Sequence, residues 1–211
     1  MKKFRVILCI SVFSLLGPVL FAHGNGFFCS EVTLGTGITI YDDNSGSERK
    51  QLLDTSDYKR IVAGLSYNAV LGISEQIKLL FGADLMSDFL WEDDMYFHTL
   101  DYAFCTGVKI FPGAQGLNFG ISYILGNRTD FVKVYKTVEK TGEGQTGEEK
   151  VLEETILTKS WGNGFKLFVQ YDFMEDSSSK VKPLVGAYYR CVPRGGNLTD
   201  HTICLYGGIK L

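Results

Sequence analysis

Apolar residues recur at every second position in eight separate stretches: Val32 to Ile40, Ile61 to Leu71, Ile77 to Leu85, Leu100 to Ile110, Leu117 to Leu125, Trp161 to Phe173, Val181 to Cys191 and Ile203 to Leu211. Of these 45 alternating positions 41 are apolar; Thr36, Thr106, Asn163 and Gly207 are the exceptions, and none is charged. A period of two puts successive side chains on opposite faces of a strand. Each stretch therefore predicts a strand with one uncharged, almost wholly apolar face, near 31–41, 58–71, 76–90, 96–110, 117–132, 160–174, 181–192 and 201–211. No stretch of useful length carries the 3.6 period of an amphipathic helix.

The interleaved positions are different in kind. They hold nine charges, Lys78, Asp84, Asp101, Lys109, Lys166, Asp172, Lys182, Arg190 and Lys210, and at least one glycine per strand, including Gly35, Gly37, Gly64, Gly82, Gly107, Gly120, Gly164, Gly186 and Gly208. Two closed barrels fit such strands: a soluble one with apolar residues inside, and a membrane one with apolar residues towards lipid. Volume separates them. An eight-stranded barrel has an interior just wide enough for side chains to fill, and forty-odd Leu, Ile, Phe and Tyr side chains would overfill it. Glycines and a few charges suit a narrow lumen in which ions pair, and closure satisfies every backbone group in hydrocarbon. The expected fold is all-β, a closed eight-stranded antiparallel transmembrane up-and-down barrel, with the nine charges as a lumen ion-pair network.

Overall composition, 45% hydrophobic and 21% charged at a net −3, conceals two further features. Residues 1–22 have the form of a cleaved secretory signal: Lys2, Lys3 and Arg5, an apolar run from Val6 to Leu16, then Pro18 to Ala22. The run is about 11 residues, short of the roughly 20 that a spanning helix needs. The remaining 23–211 is the expected barrel domain, with 18 Lys+Arg against 24 Asp+Glu and no basic footprint for nucleic acid. With both termini in the periplasm, the alternate connections should be short turns, at 72–75, 112–116 and 175–180, and long outer loops. The outer connections at 42–57, 88–96, 130–160 and 193–200 sum to −9, with Glu92, Asp93 and Asp94 as the densest surface acidic cluster. Within 130–160, two alternating arms flank a Gly-rich centre and predict a protruding hairpin; a mobile acidic loop is the alternative. Aromatic girdles are expected from Trp91, Tyr96, Trp161 and Phe165 at the outer rim and Phe111, Phe119, Tyr171 and Phe173 at the inner one.

This arrangement resembles the small outer-membrane barrels of the OmpX, OmpA, OmpW and opacity-protein type. Lys182-Pro183-Leu184-Val185-Gly186-Ala187-Tyr188 is similar to the penultimate strand of those families, and Tyr206-Gly207-Gly208-Ile209-Lys210-Leu211 to the terminal strand read by the outer-membrane insertion machinery, with Leu211 in place of the usual Phe. The resemblance implies a bacterial outer-membrane location with extracellular loops, outer-membrane lipid and the insertion machinery as partners, and a host or extracellular ligand at the loops. The expected role is non-enzymatic surface contact, adhesin-like; the alternative is a narrow porin or an OmpW-like conduit for small or hydrophobic solutes. No catalytic, metal or cofactor set is expected. His98 with Ser87 or His201 is the strongest hydrolase candidate, but no G-x-S-x-G motif accompanies it. Cys29, Cys105, Cys191 and Cys204 are expected as free thiols, since Cys105 and Cys204 would sit on opposite walls and Cys191 would face lipid.

Overall fold

The fold was analysed in a computed structural model, which describes residues 28–41, 54, 58–92, 95–113, 116–142, 145–173, 179–195 and 198–211, without the side chains of 136–149. The expected signal segment and two of the three acidic-cluster residues, Asp93 and Asp94, lie outside the described residues.

Eight strands follow one another: β1 (Phe28–Tyr41), β2 (Lys59–Gly72), β3 (Ile77–Glu92), β4 (Met95–Ile110), β5 (Leu117–Gly142), β6 (Gln145–Asp172), β7 (Lys182–Pro193) and β8 (Thr199–Lys210). Each pairs antiparallel with the next, and β8 returns to β1 through a ladder from Glu31↔Lys210 to Tyr41↔Asp200. The sheet is thus a closed barrel in sequence order. Closure leaves no strand edge unpaired.

Register puts the two faces where the alternation requires. Leu34, Phe104, Trp161 and Leu205 point outwards and are 67%, 70%, 61% and 66% exposed, whereas Asp101, Lys109, Asp172 and Arg190 on the interleaved parity are buried. Among the described residues, 31 large hydrophobics are exposed. A soluble monomer rarely exposes a contiguous apolar patch beyond a few hundred Å². The polarity is that of a barrel solvated by hydrocarbon outside and by its own polar side chains within.

The lumen is filled by matching glycines to rings. A Cβ at Gly186 would lie 2.5 Å from the Tyr206 ring, and one at Gly120 would overlap the Phe168 ring. Leu80, Ala103, Cys105, Ile124 and Phe168 form a small apolar plug among these groups. In the turn after β4, Gly113 and Gly116 have φ of 94° and 79°, a left-handed conformation that glycine adopts without steric cost, and Gly116 accepts from the Asp172 amide at 2.8 Å.

β5 and β6 are 26 and 28 residues long, against 12 to 16 for the others. Their pairing continues to Gly142↔Gln145, so beyond the last β4–β5 pair, Met95↔Val134, the part of 130–160 from 135 to 152 is a two-stranded ladder that extends past the other strands by roughly 26 Å for the eight further residues of β5. The register shifts once, between Val134 and Tyr135, where Glu153 is the additional residue on β6.

Candidate functional site: the ion-paired lumen

The lumen charges form three tiers. At the inner end, Lys109 Nζ donates to both carboxylate oxygens of Glu31 at 2.7 and 2.8 Å, with the two side chains 0% and 1% exposed. Beside them Asp172 accepts from Gln170 at 2.5 Å, Lys210 at 3.0 Å and Asn118 at 3.1 Å. In the middle, Lys166 reaches across from β6 to Asp84 on β3, at 2.9 and 2.7 Å.

The outer tier is the largest. Arg190 donates to both oxygens of Asp101 at 2.8 Å. Arg194 joins Asp101 to Asp200, Arg128 joins Asp200 at 2.5 Å to Asp130 at 3.0 Å, and Thr99 donates to Asp130 at 2.8 Å. A second cluster on the adjacent wall has Arg60 on Asp88 at 2.6 Å, Tyr41 donating to the same carboxylate at 2.8 Å, and Arg60 donating to the Thr39 carbonyl. Arg128 lies 5.2 Å from the Tyr41 ring centre, which links the two clusters. Charges balance within every tier: Lys109 and Lys210 against Glu31 and Asp172, Lys166 against Asp84, and four arginines against four aspartates. An ion stripped of water costs several kcal/mol unless paired and hydrogen-bonded, and this pairing lets charges fill a lumen buried away from bulk water.

Seven of the nine expected lumen charges lie in these ion pairs. Lys78 and Lys182 stand instead at the inner mouth, with Lys78 Nζ 4.1 Å over the Phe111 ring. Phe111 corrects the expected inner girdle: it follows the outward Ile110 by one residue, so its parity turns it inwards, where it is buried beneath Lys78 and Lys210. Seven lumen charges were not among the expected set: Glu31, Arg60, Asp88, Arg128, Asp130, Arg194 and Asp200. All sit on the interleaved parity, just past the last apolar partner on their strands. Asp88, Asp130, Arg194 and Asp200 were expected in outer loops; moving them into the lumen reduces the loop sum from −9 to −7, and all seven additions together take the lumen from +3 to +2.

Between the inner and middle tiers is a cavity of about 20 Å³, lined by Glu31, Asn68, Lys166, Gln170, Tyr188 and Tyr206 among others. That is room for about one water. The hydrolase candidates do not assemble. His98 is stacked on Phe89 at 4.2 Å and against Phe131 at 5.7 Å, its Nε2 buried without a partner, while His201 bonds Tyr189 at 2.8 Å on the opposite side of the barrel. Glu92, the described member of the acidic cluster, ends β3 at the outer rim. All four described cysteines are free.

Closed pairing, an apolar outer face and a balanced polar interior define the class as a membrane-spanning eight-stranded β-barrel. No family model matches the chain, and no curated protein matches it. Similar solved structures include Ail, the attachment invasion locus protein of Yersinia pestis, with 10% identity, coverage of 88% of this chain and 99% of that one, and a TM-score of 0.48. Neisserial surface protein A has 11% identity, 87% and 96% coverage and a TM-score of 0.43. The outer membrane enzyme PagL has 12% identity, 84% and 97% coverage and a TM-score of 0.42. None of these likenesses carries a function to this chain.

Proposed function

We propose that this chain is an integral bacterial outer-membrane barrel that works by surface contact, with the β5–β6 hairpin as its contact element and the ion-paired lumen as a rigid, non-conducting support. The observation that carries this reading is the combination of a lumen crossed by charge-balanced ion pairs with a hairpin ten residues longer than the neighbouring β4. A ladder fixed to a rigid barrel presents its faces with little ordering cost on binding. The hairpin also holds Val151 and Leu152 exposed, beyond the strand ends of the other walls.

Two measurements test the proposal. Planar bilayers containing the purified barrel should show no stepwise conductance; reproducible channels would favour the conduit reading. Cells displaying the barrel should adhere to host-cell monolayers more than cells displaying a variant whose residues 136–150 are replaced by a short turn. Equal adhesion with equal surface display would remove the hairpin from the role.

A further inference from the structure

The β5–β6 ladder keeps one register from Leu117↔Tyr171 to Val134↔Glu154 and then skips a residue: Tyr135 faces Leu152, and Glu153 is left over on β6. No other ladder among the described residues shifts its register. The place of this bulge is specific. Val134 is also the last residue of β5 with a partner on β4, Met95, and β6 parts from β7 lower still, at the Gly162↔Arg194 bridge. Below Val134, β5 is paired on both edges, and an extra residue there would leave backbone groups unpaired inside a closed wall. The bulge therefore stands at the first pair where the ladder can bend without opening the barrel.

The Glu153 side chain is exposed, so what the residue contributes is one additional backbone unit. That unit has two effects. It inverts the parity of β6: Thr155, Leu157 and Lys159 share the outward face below it, Leu152 and Lys150 above it. Tyr135, outward on β5, thereby has Leu152 as its direct cross-strand neighbour in place of a carboxylate. The extra unit also bends the strand and increases its local twist. At the base of an arm of roughly 26 Å, a bend of about 20°, the size of the twist between neighbouring strands, displaces the tip by about 9 Å.

We infer that the bulge at Glu153 is the aiming element of the hairpin. It turns the eight pairs from Tyr135↔Leu152 to Gly142↔Gln145 out of line with the barrel wall, and so sets the direction in which the arm meets a partner surface. The second half of this inference rests on the surface-contact reading above; the bend does not.

Spin labels measure the direction of the arm, one at Thr141, a pair below the last, and the other at Leu85 on β3 or Leu205 on β8. Leu85 and Leu205 are exposed on separate walls, so a change of direction alters at least one of the two distances. The protein has its four described cysteines replaced and is reconstituted in vesicles, with heat-modifiability confirming a folded barrel. Two opposite edits remove the bulge: deletion of Glu153, and insertion of one glycine between Val134 and Tyr135 to give Glu153 a partner. Both should shift at least one distance by roughly 5–9 Å. Glu153→Ala keeps the extra backbone unit and should leave both distances unchanged. If one edited protein fails to fold, the other carries the test. Distances that stay unchanged in a folded edited protein overturn the inference. At equal surface display, adhesion to host-cell monolayers should fall in the edited proteins and hold in Glu153→Ala; full adhesion with altered distances also overturns it. Full adhesion after replacement of 136–150 instead overturns the contact reading, and the distances then decide the bend alone.

Discussion

Replacing Lys109 by Met tests the dry, paired lumen at its most buried point. Lys109 and Glu31 are joined by two short bonds, at 2.7 and 2.8 Å, on β4 and β1, and neither side chain reaches solvent. Met keeps most of the volume and removes the charge. Among the described side-chain hydrogen bonds Glu31 then keeps the Gln170 amide at 3.4 Å, with Lys210 as its cross-strand neighbour on β8. Breaking a buried pair on one side costs about 3–5 kcal/mol, because the surviving ion stays desolvated, whereas removing both charges is often close to neutral. Lys109→Met should thus lose about 3–5 kcal/mol. The double variant Lys109→Met with Glu31→Leu should recover most of it, short of about 1 kcal/mol for the weakened Gln170 contact. Reversible urea unfolding into and out of lipid vesicles, read by heat-modifiability on gels and by tryptophan emission, measures both. With a slope near ~2 kcal/mol per M, the single variant's midpoint should drop by about 2 M. A single variant costing under about 1 kcal/mol, with no rescue in the double, would mean that water reaches the pair and the lumen is not sealed.

Other consequences follow from the same geometry. Arg128→Ala with Arg194→Ala removes two of the bridges spanning the outer tier, and planar bilayers should then show channel activity that the intact barrel lacks; a silent double variant would place the barrier in the inner or middle tier. Gly120→Val drives a side chain into the Phe168 ring and should destabilise the barrel by about 1–3 kcal/mol or more, with Phe168→Ala restoring part of the loss; an unchanged midpoint would contradict the packing of glycines against rings. A charged, water-soluble maleimide should leave Cys105 and Cys204 unlabelled in the reconstituted barrel and label them after urea, and the non-reduced mass should show no disulfide. Replacing 136–150 by a short turn should lower stability to urea by no more than about 1 kcal/mol, since the backbone of this ladder pairs only arm to arm among the described residues.

Strand number, antiparallel order and the polarity of the two faces were legible because hydrocarbon imposes a strict rule: a charge on the outward parity is expensive, so 45 positions from Val32 to Leu211 carry none. Strand ends were harder to read. Outside the apolar belt the outward face meets water and headgroups, the alternation lapses, and Asp88, Asp130 and Asp200 look like loop charges although they continue the lumen parity. Counting in twos from Asp84 reaches Asp88, and from Arg190 reaches Arg194; parity alone could have found them. Phe111 follows the same logic, its aromatic character suggesting a girdle while its odd position beside Ile110 turned it inwards. Which cation meets which carboxylate was not legible, because Lys166 with Asp84 and Arg190 with Asp101 meet across the barrel, a relation set by closure and stagger rather than by spacing along the chain.

The central claim is that the even, apolar alternation faces lipid and the other face is sealed inside. Spin labels placed singly at Leu34, Phe104, Ile121 and Leu205, in protein with its four described cysteines replaced and reconstituted in vesicles, test it directly by comparing collision with oxygen, which concentrates in hydrocarbon, and with a water-soluble nickel chelate. The account predicts high oxygen and low nickel accessibility at all four positions. High nickel accessibility there would mean that the apolar face meets water, and the barrel would not be a membrane protein of the kind described.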